Sequence, residues 1–324
     1  MFSSSHPDII VVGASAGGVE PLRKLVSAFP PAMDAAIFVV LHTHAAAESL
    51  LPQILSRVSA LPAESARDGT LFETGRIYVA PPDRQLLLHD GSLRVVRGPK
   101  ENLHRPSIDV LFRSAAMGYG HRVIGVLLSG ADDDGTAGML AIKRLGGVTV
   151  AQQPAESLYP DMPESAVRTV CPDFILPVTE IGKTLVALVT RQLQIPEKQV
   201  MPDRADRSFG QEEGKAIDVA LMGTPSAFSC PTCNGTLWEL HDGELVRYQC
   251  RVGHAFNPES MMEAESDAVE RALWTAVRVL EESASVSRRI AEKNEILRER
   301  LHSKAVEREE HARVIRNLLI EGTA

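Results

Sequence analysis

From Ile9 to about Leu193, short β-branched runs alternate with segments whose apolar residues recur every three or four positions. This alternation constrains the fold more than any other feature of the chain. Continuous apolar runs suit strands buried on both faces, and the helical segments between them suit the crossovers of a parallel sheet. Clear strands are Ile9 to Val12, Ile37 to Leu41, Val123 to Leu128 and Val148 to Ala151. Between the first two, Val19, Leu22, Leu25, Val26 and Phe29 form one apolar stripe, completing a βαβ unit. Tyr78 to Ala80, Leu86 to Leu88 and Leu93 to Val96, with a turn at Asp90-Gly91, are expected as strands of a hairpin inserted in the sheet or at its edge. The expected fold class is α/β, a doubly wound, mainly parallel, Rossmann-like sheet with antiparallel decoration.

The chain has 324 residues, 44% of them apolar, enough for one full-sized domain and a smaller second one. Residues 1–193 are expected to form the first domain. The aperiodic, polar stretch from Gln194 to Phe228 reads as a linker, residues 229–258 as a small Cys-containing module and residues 259–324 as helix. A formal net charge of -8 argues against nucleic acid or anionic lipid as the main partner. No run of about 18 apolar residues appears and "MFSSSHPD" lacks the plan of a signal peptide, so membrane insertion is not expected and the cytoplasm is the default. Three of the four cysteines fall between Cys230 and Cys250, which fits a reducing compartment better than a secreted disulfide framework.

Gly13-Ala14-Ser15-Ala16-Gly17 fits the pattern G-x-S-x-G between a buried strand and a helix, the setting that exposes a nucleophilic hydroxyl above a strand end. The same residues would serve a Gly-rich turn in which Ser15 caps the helix. A dinucleotide fingerprint fits less well, because Ser15 occupies the second glycine position and the next strand ends in His42, not in an acidic residue. His42, with His44 as its rival, would supply a base if the two strands are neighbours. "VIGVLL" ends in "SGADDDG", so Asp132, Asp133 and Asp134 also follow a strand. One of them could orient an imidazole, and one is expected to cap the helix from about Thr136 to Leu145.

These residues resemble the catalytic domain of the chemotaxis protein-glutamate methylesterases (CheB) over about residues 8 to 193. "GASAGG", "VVLHTH", "IYVAPPD", "HRPSIDVLF", "LLSGADDDGTAGM" and "MPESA" occur in family order. The resemblance implies Ser15 as nucleophile, His42 as base and Asp134 as orienting carboxylate. It puts Ala16, Gly17, Ala131, His104 and Arg105 around the oxyanion and substrate. It also implies hydrolysis of glutamate γ-methyl esters on a methylated chemoreceptor-like protein, and in many members deamidation of glutamine, with no catalytic cofactor. Ala16 stands where threonine is usual, and Ala131 and Asp132 where methionine and glycine are. Members usually carry a receiver domain ahead of the catalytic one. None is expected before Ile9, so regulation is expected from partners or the C-terminal third.

Cys230, Cys233, Cys250 and His254 supply three thiolates and an imidazole, the donor set of one closed, structural Zn2+ in a zinc-ribbon-like hairpin; buried unligated cysteines are the alternative. Glu259 to Ile320 contain neither Gly nor Pro, and Val269, Leu273, Ala276, Leu280, Ser287, Ile290, Leu297 and Leu301 fall on a heptad seam. A coiled coil or helical hairpin for self-association or docking is expected there. Two function classes follow: an esterase acting on a receptor, or an adaptor that keeps the esterase fold and acts by binding through its metal and helical parts.

Overall fold

In strand β1 (Ile9–Ala14) successive side chains alternate between two apolar layers, Ile9 and Val11 on one side and Ile10 and Val12 on the other. A strand of this kind needs helices on both faces. The computed structural model describes residues 6–45, 49–193, 223–242 and 245–321. After β1 come α1 (Val19–Ser27), β2 (Ala36–Leu41), α2 (Leu51–Ser56), β3 (Ala63–Ser65), β4 (Ile77–Val79) and the hairpin β5 (Gln85–His89) and β6 (Ser92–Val96). They are followed by α3 (Ile108–Tyr119), β7 (Val123–Leu127), α4 (Thr136–Arg144), β8 (Val148–Gln152), α5 (Asp161–Val170), β9 (Phe174–Leu176) and α6 (Val178–Val189).

Seven strands form one sheet in the order β3-β4-β2-β1-β7-β8-β9, with every neighbouring pair parallel. Leu22, Leu25, Ile181 and Leu185 of α1 and α6 cover one face. Leu111, Phe112, Ile142 and Met162 of α3, α4 and α5 cover the other. The chain winds outward in both directions from β1 and β7. The crevice above their carboxyl ends is therefore the topological switch point, where ligands of such sheets bind.

The hairpin departs from expectation. β4 belongs to the parallel sheet, whereas β5 and β6 pair with each other as a separate two-stranded sheet, with one isolated bridge from Ser92 to Leu71. The apolar face of the hairpin, Leu86, Leu88 and Leu93, packs with Leu111, Ala115 and Ala116 of α3. The Leu88 N–H donates to Ser114 Oγ at 3.1 Å. Burial against a helix, not pairing with a sheet edge, holds it.

A second sheet contains β10 (Thr224–Ser229), β11 (Thr236–Asp242), β12 (Leu245–Cys250) and β13 (Ala255–Phe256), antiparallel and in sequence order. The linker expected over 194–228 therefore ends earlier, because β10 begins at Thr224; residues 194–222 lie outside the described residues. β10 is mostly exposed and lacks an alternating apolar face, which is why it reads as loop.

The chain divides into two compact units, Met1–Ser260 and Met261–Ala324, so the small sheet belongs with the large one. The second unit contains most of α7 (Pro258–Lys293) and all of α8 (Arg298–Glu321). Arg288 pairs with Glu309 and Arg316 with Glu281, the pairing of an antiparallel hairpin. Its seam shares Ser287 with the expected one but otherwise lies beside it. Ala284, Ala291, Ala305 and Ala312 are buried with Ser287, while Val269 and Ile290 are exposed, because small residues let the helices approach closely. Among the described residues no helix is long and apolar enough to cross a membrane.

Candidate active site

Three parallel strands end side by side, and each delivers one polar side chain. His42 N–H donates to Ala14 O (3.1 Å), Leu128 N–H to Gly13 O (2.9 Å) and Ser15 N–H to Ser129 O (3.0 Å), which ties the ends of β1, β2 and β7 together. Gly17 takes the turn after Ser15 at φ 70°, a conformation that suits glycine. Across the crevice, a side chain on Gly130 would put its Cβ 2.7 Å from the Ser15 Cβ, so only glycine lets the two loops meet.

His42 Nδ1 lies 3.0 Å from Ser15 Oγ, and His42 Nε2 lies 2.9 Å from Asp134 Oδ2. The ring nitrogens are thus used in the opposite sense to the usual serine triad, in which Nε2 faces the serine. Neutral His42 with its proton on Nε2 donates to Asp134 and offers the Nδ1 lone pair to the Ser15 hydroxyl. Ser15 is partly exposed, the His42 side chain retains 6% of its exposure and Asp134 is fully buried. A hydroxyl reachable from solvent therefore backs onto a base and a carboxylate sealed from water.

One of Asp132, Asp133 and Asp134 was expected to cap α4, and the resemblance implied Asp134 as the orienting carboxylate. None of Asp132, Asp133 and Asp134 caps α4 with its side chain; Gly135 is the N-cap residue. The Asp134 carboxylate instead accepts from Ile108 N–H (2.6 Å), Asp109 N–H (3.3 Å), Ser107 Oγ (2.9 Å) and Asn102 Nδ2 (3.0 Å), at the N-terminus of α3. Burial alone would raise its pKa. The hydrogen bond and charge of His42, with His104 and Asn102, outweigh burial and hold it below the usual carboxylate range. Burial lowers the His42 pKa from the ordinary imidazole value against the upward pull of Asp134, and the neighbouring His104 lowers it further.

His104 lies flat on His42, with ring centroids 3.5 Å apart and an interplanar angle of 14°. Its Nε2 is 3.6 Å from Asp132 Oδ2, and this imidazole holds the Asp132 carboxyl below its ordinary value. The stack fixes the plane of the His42 ring.

The family model described as CheB methylesterase matches residues 10–185, just over half of the chain. The chain belongs to the CheB methylesterase family. A protein named protein-glutamate methylesterase/protein-glutamine glutaminase 2 from Anaeromyxobacter dehalogenans is 39% identical over 182 residues, 56% of this chain and 53% of that protein. A similarly named protein from Moorella thermoacetica is 36% identical over 188 residues, 56% of this chain and 44% of that one. The chain thus spans about half the length of these relatives. A putative protein-glutamate methylesterase/protein-glutamine glutaminase from Leptospira interrogans is 32% identical over 188 residues, 58% of this chain and 97% of that protein. The crystal structure of the Thermotoga maritima CheB methylesterase catalytic domain superposes with a TM-score of 0.54 at 30% identity, covering 56% of this chain and 98% of that one.

Within this CheB-family site the remaining expected residues separate. Arg105 is committed to structure: its Nε donates to Asp83 Oδ1 and its Nη1 to Gly98 O, both at 2.8 Å. His44 is exposed, and His42 alone meets Ser15 and Asp134. Ala16, Gly17 and Ala131 line the turns on either side of Ser15. Their N–H groups donate to no acceptor among the described residues.

Sequence reasoning missed Asn102 and Asp109. Asp109 is buried, accepts from Gly138 N–H at 2.6 Å inside α4 and from Asn102 Nδ2 at 3.0 Å. Burial and the charge of Asp134 raise its pKa. "SIDVLF" carried the signal, a carboxylate in the first turn of a helix, but not its distant partner.

Cys230, Cys233, Cys250 and His254 place one ligand atom each within 4.8 Å of one another. The Cys233–Cys250 sulfurs are 3.7 Å apart and His254 Nδ1 is 3.6 Å from Cys250 Sγ. A tetrahedron with metal–sulfur bonds of about 2.3 Å has edges of about 3.8 Å, so the donor set and its spacing fit such an ion.

Proposed function

We propose that the protein hydrolyses glutamate γ-methyl esters on a chemoreceptor-like signalling protein, with Ser15 as nucleophile, His42 as base and Asp134 as its orienting carboxylate. The contact of Ser15 Oγ with His42 Nδ1, backed by Asp134 on Nε2, carries this reading. The Ser15 oxygen attacks the ester carbonyl as its proton passes to Nδ1, and the resulting imidazolium is stabilised by Asp134. The N–H groups of Ala16 and Ala131 supply donors for the oxyanion. His42 then returns the proton to the departing methoxide, methanol leaves, and water activated by the same nitrogen releases the carboxylate and Ser15. A glutamine amide would follow the same course with ammonia as leaving group, in line with the double name of the relatives.

Cys230, Cys233, Cys250 and His254 hold one Zn2+, which supplies structural cross-linking only, since four protein donors complete its coordination. The paired C-terminal helices serve self-association or docking, and the protein works in the cytoplasm. The decisive experiment measures methanol release from membranes carrying a methylated receptor of the same cell. Ser15→Ala should abolish release while its circular dichroism stays that of the wild type; turnover near wild type in that variant would sink the assignment.

A further inference from the structure

One of the hydrogen bonds that hold Asp134 from the side opposite His42, that from Asn102 Nδ2, leads directly to the small sheet. Asn102, buried and at φ 48°, donates to Asp134 and Asp109 through Nδ2. Its Oδ1 accepts from the Asn257 N–H at 3.2 Å, and its own N–H donates to Ala255 O at 2.9 Å. Asn257 Nδ2 donates to Asp133 Oδ1, on the turn that carries Asp134. The orientation of Asn257 is itself fixed: its Oδ1 accepts from Ser260 N–H at 2.7 Å, and its N–H lies 3.1 Å from Ser260 Oγ, a reciprocal cap at the start of α7. Beside Asn102, Glu101 bridges to Ala255, and its carboxylate meets Arg247 of β12 at 3.6 Å. Ala255 follows the metal donor His254 directly, and Cys250 N–H donates to His254 O at 3.0 Å.

We propose that the Cys–His module is a positioning element of the triad: with metal bound, Ala255–Asn257 clamps Asn102 and the Asp133-Asp134 turn against His42, and loss of the metal releases the clamp and slows hydrolysis. This rests on the triad and metal proposed above. The module is short, so the free energy of metal binding is the free energy that orders it. Asn257 and Asn102 are positioning residues, since neither touches the substrate ester in this mechanism. Displacing a catalytic carboxylate by about 1 Å costs on the order of a hundredfold in rate. Metal state thus becomes a control on the triad.

The test uses the full chain, with p-nitrophenyl acetate as substrate, zinc content by atomic absorption and the low-field proton resonance of the His42–Asp134 hydrogen bond. Protein stripped with a chelator should lose about tenfold to a hundredfold in kcat with KM unchanged, broaden that resonance, and recover both on addition of Zn2+. Cys233→Ser, at an exposed ligand, should behave like the stripped protein. Asn257→Ser keeps a capping oxygen but removes the donor to Asp133, and should lower kcat in the same way while retaining zinc. A folded, metal-free protein with wild-type kcat and resonance overturns the proposal, as does unchanged kcat in Asn257→Ser; if Cys233→Ser fails to fold, these two measurements decide. Ser15→Ala separates the two levels: activity in that variant defeats the triad itself, whereas inactivity there with normal kinetics after stripping defeats only the clamp.

Discussion

Asp134 and Asp109 cap each other's helices. Asp134, just before α4, accepts the Ile108 and Asp109 N–H groups that open α3, and Asp109 in α3 accepts the Gly138 N–H of α4. The carboxylate that faces His42 is therefore also a structural joint, and the two helices cannot shift without moving it.

The first prediction separates these roles. Asp109→Ala leaves the buried Gly138 N–H and one Asn102 amide hydrogen without their partner, and should lower stability by about 2–3 kcal/mol in urea unfolding while costing kcat only severalfold. Asp134→Asn should cost about a thousandfold or more in kcat, whereas Asp132→Asn should stay within about tenfold. Comparable losses at Asp134 and Asp132 would contradict the geometry.

The strand ends near Ser15, His42 and the Asp132–Asp134 run were legible because each follows a continuous apolar run, whereas the choice of His42 over His44 and of Asp134 within the acidic run came from the resemblance to the CheB family. Asn102 was not legible. Its partners lie 32 residues away at Asp134 and 155 residues away at Asn257, and no local pattern encodes such distances. The β5–β6 hairpin was read correctly as a hairpin but assigned to the sheet, because alternation reports an apolar face and not what covers it. The helical seam was misplaced except at Ser287 for a related reason. Large apolar residues define a heptad, whereas Ala284, Ala291, Ala305 and Ala312 make the contact here.

His104 should set the pH range of catalysis. Activity requires neutral His42, whose pKa burial and the His104 ring push below the ordinary imidazole value of about 6.5. The acid limb of kcat/KM should therefore fall at a pH below that value. His104→Ala removes the neighbouring ring that lowers the His42 pKa and admits water to the buried imidazole, both of which raise that pKa, so the limb should move to higher pH. A profile recorded between about pH 5 and 8 that shows no upward movement would refute the role of the stack.

Gly130→Ala should damage the site without disturbing the sheet. The added methyl would stand 2.7 Å from the Ser15 Cβ and also meet the Met162 side chain. The loops must part, which lengthens the Ser15–His42 contact. Thermal unfolding should reveal a stability loss of about 1–3 kcal/mol, and kcat on a small ester should fall about tenfold or more.

Asp133 should make stability decline with rising pH. Burial, with the charges of Asp109, Glu259, Asp134 and Asp132, raises its pKa to about 8, whereas in the unfolded chain it titrates near about 3.9. Between these values the folded state binds a proton that the unfolded state lacks, so unfolding is favoured as pH rises and the contribution present in acid is lost by about pH 8. Asn257 Nδ2 donates to Asp133 Oδ1, and an asparagine at position 133 would keep that acceptor while remaining uncharged. Asp133→Asn should therefore change stability little near pH 4 and gain about 2 kcal/mol or more over the wild type by pH 8.5 in urea unfolding. The gain must grow with pH; a difference that stays constant from acid to alkaline conditions would mean that Asp133 is ionised in the folded protein throughout.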